Sequence, residues 1–281
     1  MEAPRSSTRD WMELPLDALE TIFAKLSAVD ILMGAGLVCH SWLDAAEVPS
    51  LWRCVDMASH ELVEHKRFRY GGNDVLCAMA KLAVDRSNGQ LQEFSGRRFV
   101  TAELLNYIGD RSPSLKTLRL KSCPVGTEAF SDAIKKFPLL EELDITLAYP
   151  LRYRTVYEIV GKHCPHLKSF KQIIGLSASS DYQYWYWRLD GNSVQGNDEA
   201  LGIATMAGLR SLQLIRSDIS NTGLEAILNG CPHLDSLDIR QCFYVKMGAT
   251  MEARLASLNL NSLKLPDDSI GGPYQDDAWM R

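Results

Sequence analysis

The chain has 281 residues, of which 46% are hydrophobic and 23% charged, and its net charge is −5. Such a balance specifies a folded chain, with room for one large unit or a small one joined to an elongated one. It holds no Lys/Arg block to favour nucleic acid or an anionic membrane, no apolar run near the ~20 residues that span a bilayer, and no apolar signal segment after the polar first ten residues.

In chain order, residues 1–10 are expected to be disordered and 11–55 to form a small helical unit. Pro15 suits a first helical turn, and Asp17 suits the positive end of the helix dipole. Leu19, Ile22, Phe23 and Leu26 form an i, i+3, i+4, i+7 apolar stripe. Ser27 is placed to cap a second helix carrying Ile31, Leu32, Ala35, Val38 and Cys39. Trp42, Leu51 and Trp52 add large apolar side chains. A stretch of about forty residues rarely builds an independent core, so this much apolar surface implies a partner protein. Residues 56–90 read as a helical linker or cap.

From residue 91 to 265 one phrase recurs. Its copies are Leu115, Leu118, Leu120 and Cys123; Leu140, Leu143 and Ile145; Leu167, Phe170 and Gln172; Leu209, Leu212 and Leu214; Leu234, Leu237, Ile239 and Cys242; and Leu255, Leu258, Leu260 and Leu263. A weaker copy stands at Leu91 and Phe94. The first leucines lie 25, 27, 42, 25 and 21 residues apart, the period of L-x-x-L-x-L leucine-rich repeats. Each short strand sends alternate residues inward, and the copies must stack because one alone cannot bury its apolar face. Helical patterns at Thr127–Lys136, Thr155–His163, Asn197–Met206 and Asn221–Leu228 supply the other layer, with Asn197 and Asn221 as N-caps and Gly230 as a stop. Pro113, Pro138, Pro165 and Pro232 turn the chain toward the next strand. The long gap holds an insertion at about 175–195 with the aromatic tract Tyr182–Trp187, which reads as a β-rich cover for its own repeat before it reads as a binding platform. Residues 266–281 read as a flexible tail.

Seven scattered cysteines without CxxC spacing read as reduced thiols, hence a chain of the cytoplasm or nucleus. Cys164-Pro-His166 and Cys231-Pro-His233 resemble metal ligands, but they fall at one repeat phase and the repeat accounts for them. Cys39 and His40, adjacent on a helix, do not face each other. No phosphate loop, nucleophile elbow or zinc-protease motif occurs, so no cofactor, metal or catalytic residue is expected.

Leu14-Pro15, Ile22-Phe23, Leu26, Asp30, Val38-Cys39, Trp42 and Leu51-Trp52, in that order, resemble the F-box signature. The repeats resemble the cysteine-containing subclass of leucine-rich repeats. With the phrase Asp238 to Phe243, the two modules resemble plant F-box/leucine-rich-repeat proteins of the Skp-interacting group. One departure is His40-Ser41 before Trp42, where the family carries Lys or Arg. The residues alone leave core and contact roles open for the apolar set. The resemblance implies contact with an Skp-type adaptor, and through it a cullin-RING ligase, by Leu14, Pro15, Leu19, Ile22, Leu26, Ile31, Val38, Trp42, Leu51 and Trp52; Trp42 and Phe23 also read as structural.

The expected fold class is α/β: a small α-helical F-box followed by a solenoid of six or seven strand–helix repeats. The expected function is that of a non-catalytic substrate receptor of an SCF-type ubiquitin ligase. Its rival is a scaffold that binds the adaptor and delivers no target. Strand alternation puts the target-binding face among Arg119, Lys121, Glu142, Asp144, Lys171, Ile173, Gln213, Ile215, Asp238 and Arg240, with Ser257, Asn259 and Asn261 from the last copy. Ile173 and Ile215 would form the apolar centre of a polar rim. The partners are the adaptor and an unidentified target protein, with neither nucleic acid nor membrane.

Overall fold

The computed structural model describes residues 11–60, 73–146, 153–174 and 194–269. The first unit contains helices α1 (Leu16–Phe23), α2 (Ala28–Met33) and α3 (His40–Ala46), with 3₁₀ turns at Trp11–Glu13, Ala35–Leu37 and Pro49–Trp52. Pro15 precedes α1 and Asp17 lies in its first turn. Ser27 caps α2 through a capping box: its hydroxyl accepts from the Asp30 amide, and the Asp30 carboxylate accepts from the Ser27 amide.

Among the described residues eight strands follow: β1 (Cys54–Asp56), β2 (Glu93–Arg97), β3 (Thr117–Lys121), β4 (Glu142–Thr146), β5 (Ser169–Ile173), β6 (Ser211–Ile215), β7 (Ser236–Asp238) and β8 (Ser262–Lys264). They form one parallel sheet in chain order. The outer layer is made by helices α4 (Asn73–Arg86), α5 (Ala102–Arg111), α6 (Thr127–Ile134), α7 (Arg154–His163), α8 (Val194–Ile203), α9 (Asn221–Gly230) and α10 (Ala249–Ala256). Val55, Phe94, Leu118, Leu143, Phe170, Leu212, Leu237 and Leu263 sit side by side in register, one per strand. A backbone chain runs beside them: Gln92 N donates to Arg53 O, Lys116 N to Gln92 O, Glu141 N to Lys116 O, Lys168 N to Glu141 O, and so on to Asn261. Beyond several strands, Arg98, Ser122, Arg216 and Gln241 take a left-handed backbone at φ of 53 to 65°. Each donates its amide to the next rung, Arg98 to Lys121 O and Ser122 to Thr146 O, so the strained residue turns the chain out of the sheet without losing a hydrogen bond.

The register corrects the sequence reading at both ends. The first rung is Trp52, Val55 and Met57, all fully buried, although Trp52 lies inside the F-box motif. At the other end Leu263 pairs with Leu237, so the last rung is Leu260, Leu263 and Leu265. Leu255 belongs instead to α10 and is buried there, and Ser257 caps that helix. Ser257, Asn259 and Asn261 therefore leave the expected concave set. The string Leu255, Leu258, Leu260, Leu263, Leu265 satisfies the repeat phrase in two frames five residues apart, and only the pairing chooses between them.

The helix caps are corrected as well. Asn197 lies inside α8, where its Oδ1 accepts from the Ser220 amide and hydroxyl of the next repeat. Asn221 spans to Lys246, donating to its carbonyl and accepting from its amide. Gly230 is needed for close approach: a Cβ there would stand 2.2 Å from the Ala204 carbonyl oxygen. Gln172, the polar intruder of the third copy, points inward and accepts from the Tyr157 hydroxyl at 3.1 Å, and both side chains are buried. Beyond 265, Pro266 is buried and its carbonyl accepts from the Gln241 amide, so the solenoid runs into the segment read as tail.

One hydrophobic core extends from Leu19 and Phe23 through Trp52 and Val55 to Leu255. At the junction the Trp52 indole N–H donates to Ala46 O at 2.8 Å, and the Arg86 guanidinium lies 5.5 Å from its ring. The two units are joined by packing as well as by the chain.

Candidate functional site

Helix α1 is apolar on more of its circumference than it buries. Leu19 and Phe23, four residues apart, enter the core, whereas Ile22 and Leu26 emerge on the adjoining side. The expected stripe is thus two walls, one spent internally and one exposed. Pro15 and Val38 are also exposed, Val38 by 60%. Leu14, Trp42 and Leu51 are half-buried against the core. Trp42 stands edge-on to Phe23, with ring centroids 5.5 Å apart, and its indole N–H donates to Trp11 O at 3.0 Å.

Three of the ten expected adaptor contacts are therefore core residues: Leu19, Ile31 and Trp52 are buried. In their place the structure exposes Trp11 (64%), Leu16, Met33 and Leu37 (72%). These four sit beside motif positions, and a sequence pattern cannot separate inward from outward neighbours within turns this short. The exposed set lies on or beside α1, α2 and the 3₁₀ turns; α1 and the turns at Trp11–Glu13 and Ala35–Leu37 pack on α3, and α2 packs on the turn at Ala35–Leu37. Seven large apolar side chains exposed within so short a unit are what a protein-binding surface would use.

The concave face of the sheet carries charges arranged as cross-strand pairs. Arg119 bridges two rungs, with Nη1 3.3 Å from Glu93 and Nε and Nη2 each 3.0 Å from the Glu142 carboxylate. Burial opposes the Arg119 charge, but Glu142 and Glu93 outweigh it and hold its pKa above the ordinary value. Lys171 lies 3.3 Å from Asp144, which also accepts from the Thr146 hydroxyl. Asp238 receives Arg240 at 2.7 Å and Lys264 at 3.7 Å. Lys121 and Gln213 have no side-chain partner among the described residues.

Four of the expected target contacts are not open. Asp144 and Asp238 are buried beneath the cations they pair with. Ile173 and Ile215 are each only 3% exposed and form a small cluster of their own, apart from the main core. Adjacent strands place these two side by side, close enough to cover one another in part. The partly exposed remainder is Arg119, Lys121, Glu142, Lys171, Gln213 and Arg240, with only 12% of the Arg240 side chain exposed. The aromatic tract Tyr182–Trp187 lies outside the described residues.

The four buried thiols are structural. Cys242 Sγ donates to Leu214 O at 3.0 Å and Cys123 Sγ to Gly96 O at 3.6 Å, each tying its rung to the one before. Cys164 and Cys231 reach back in the same way, to Ile134 O and Met206 O. Burial pushes Cys123, Cys164 and Cys242 up to about 12 and Cys231 up to about 11, so none is a thiolate near neutral pH. No metal-holding cluster of His, Cys, Asp or Glu occurs among the described residues.

One arrangement superficially resembles a hydrolase. Ser27 Oγ lies 2.7 Å from Asp30, and His60 Nε2 lies 3.2 Å from the other Asp30 oxygen. The carboxylate sits in the middle, whereas nucleophile activation needs the imidazole there. It is a helix cap tied to the segment after β1.

Residues 11–58 match the family described as F-box-like. Among curated proteins the chain is 38% identical over 242 residues to the putative F-box/LRR-repeat protein 9 of Arabidopsis thaliana, covering 85% of this chain and 90% of that one. It is 36% identical over 264 residues to the putative F-box/LRR-repeat protein 22 of the same plant, covering 93% and 78%. It is likewise 36% identical over 264 residues to the Arabidopsis F-box protein SKIP19, covering 93% and 78%.

Proposed function

Because this chain belongs to the plant F-box/leucine-rich-repeat family, we propose that it is the substrate-receptor subunit of an SCF-type cullin-RING ubiquitin ligase. The F-box grips an Skp-type adaptor, and the concave sheet holds a target protein. The observation that carries this reading is the exposed apolar face of the first unit, formed by Trp11, Leu16, Ile22, Leu26, Met33, Leu37 and Val38. These side chains are 38 to 72% exposed, and the family match falls on the same stretch. The receptor contributes no catalytic group. It raises the target's effective concentration near a ubiquitin-charged enzyme held elsewhere in the assembly.

Target contact falls to the partly exposed concave residues Arg119, Lys121, Glu142, Lys171, Gln213 and Arg240. The paired carboxylates hold several of these cations in fixed positions, which favours a complementary surface over loose attraction. Seven thiols outside any disulfide suit the cytoplasm or nucleus, where such a complex would act.

The test uses Leu37→Asp with Val38→Asp in the full chain. The variant should keep its thermal midpoint and lose copurification with adaptor and cullin. Undiminished adaptor capture would overturn the F-box assignment. If the variant loses the adaptor yet stabilises no protein in cells, the scaffold reading takes over.

A further inference from the structure

The two edges of the concave face differ in charge. At the amino ends of the strands, cations and carboxylates interleave. Lys116 and Lys168 lie 3.1 and 2.6 Å from Glu141, and Arg210 lies 3.2 Å from Asp235. Glu93 and Glu142, which open β2 and β4, are both held by Arg119. At the carboxyl ends, the last residues of β2 to β6 are Arg97, Lys121, Thr146, Ile173 and Ile215, and Arg240 follows β7. No Asp or Glu stands at these positions, although the chain as a whole has a net charge of −5. Arg240 is committed to Asp238 at 2.7 Å. Arg97 and Lys121 are partners in register on adjacent strands and are both partly exposed. Two cations thus stand side by side on strands about 4.8 Å apart, where like charges disfavour the sheet.

We propose that the basic edge around Arg97 and Lys121 docks an acidic segment of the target protein, its Asp or Glu carboxylates seated against the second and third rungs. This rests on the target-binding reading of the concave face and adds the chemistry of the partner. Charge complementarity selects the occupant. A run of carboxylates meets the cations at the carboxyl edge, and neutral residues of the same segment meet the balanced pairs at the amino edge. Burial opposes the Arg97 charge and lowers its pKa, and the same drier surroundings strengthen its attraction for a carboxylate. A nucleic acid is disfavoured, because it carries charge at every nucleotide and an acidic chain repels a long polyanion beyond this short edge.

Fluorescence anisotropy on the full chain at about 50 mM salt tests it. The probe is a short labelled peptide with a run of Asp and Glu between neutral flanks. The same peptide with Asn and Gln in the run, and one with Lys, are the controls. Arg97→Glu with Lys121→Glu should weaken binding of the acidic peptide about tenfold or more, and the milder Arg97→Gln with Lys121→Gln about threefold or more. Lys116→Gln with Lys168→Gln, at the amino edge, should leave it within about twofold. Equal binding by wild type and both carboxyl-edge variants would overturn the proposal, as would no binding of the acidic peptide by wild type at about 1 mM. A preference for the neutral or the Lys peptide that is lost on Gln213→Trp would overturn it too, while leaving the concave face as the binding surface. Tighter binding of a single-stranded RNA of equal charge would also overturn it, since nucleic acid would then be the occupant.

Discussion

Trp52 offers the sharpest test of the distinction between core and interface. It sits at the end of the F-box motif, yet it is fully buried and forms the first inward position of the solenoid. In Trp52→Phe most of the apolar volume remains. What is lost is the indole N–H bond to Ala46 O, which leaves a buried carbonyl without this donor, at a cost of about 1–3 kcal/mol. Part of the ring's attraction for Arg86 goes with it, about 0.5–1 kcal/mol. Trp52→Ala adds a cavity and should cost at least about 3–5 kcal/mol, a large share of the ~5–15 kcal/mol that stabilises a typical protein. Urea unfolding gives the stability, and titration calorimetry with purified adaptor gives the affinity. For Trp52→Phe the unfolding midpoint should fall while the folded protein binds adaptor within about twofold of wild type, since a twofold change is under ~0.5 kcal/mol. Val38→Asp should do the reverse. If Trp52→Phe weakened adaptor binding about tenfold at an unchanged midpoint, the reasoning from burial would be refuted, and Trp52 would be a contact.

Two further outcomes follow from the described side chains. In the folded chain near pH 8, a thiol reagent should label Cys54, which is exposed, and Cys39 and Cys77, which are partly so, while Cys123, Cys164, Cys231 and Cys242 react only after denaturation; labelling of Cys242 as fast as Cys54 would contradict the inter-rung thiol bonds. The Ser27 hydroxyl, and after it His60, hold the Asp30 carboxyl below its ordinary value, so this group adds stability above an unfolded pKa of about 3.9 and loses it as pH falls through the lower folded value. Asp30→Asn should flatten the acid limb of the unfolding midpoint between about pH 5 and 2, and Ser27→Ala should cost about 0.5–2 kcal/mol at neutral pH; an acid limb unchanged by Asp30→Asn would show that the cap does not titrate as described.

The repeats were legible because their signal is redundant. From Leu118 to Leu237, each copy places an apolar residue at the same phase, and the register aligns them one per strand. Legibility failed where redundancy failed. The first rung has Trp52, Val55 and Met57 in place of leucines and lies within a motif that already had an explanation. The last has leucines in two overlapping frames, and hydrogen bonding to β7 decides between them. Asn197 and Asn221 looked like local caps, but their amides reach the neighbouring repeat, 23 and 25 residues away. A local pattern does not report a partner at that distance.

The candidate sites were harder to read for a related reason. Alternation tells which face of a strand a residue occupies and says nothing of what covers that face. Arg119 and Asp144 are both concave residues, yet Arg119 is partly exposed and Asp144 buried, because charges on neighbouring rungs pair among themselves. In the F-box the ambiguity has a functional root. A helix that must serve its own core and a partner's is apolar on both sides, so Leu19 and Ile22 look alike in sequence while one is buried and the other exposed. The same economy appears at Trp52, where the last turn of the F-box becomes the first rung of the sheet. With no break in the core between Phe23 and Val55, moving the adaptor-facing surface relative to the concave face would require opening packed interior. Under the proposed function this packing would set the separation of the two binding surfaces, and a cavity at this junction should loosen both ends at once.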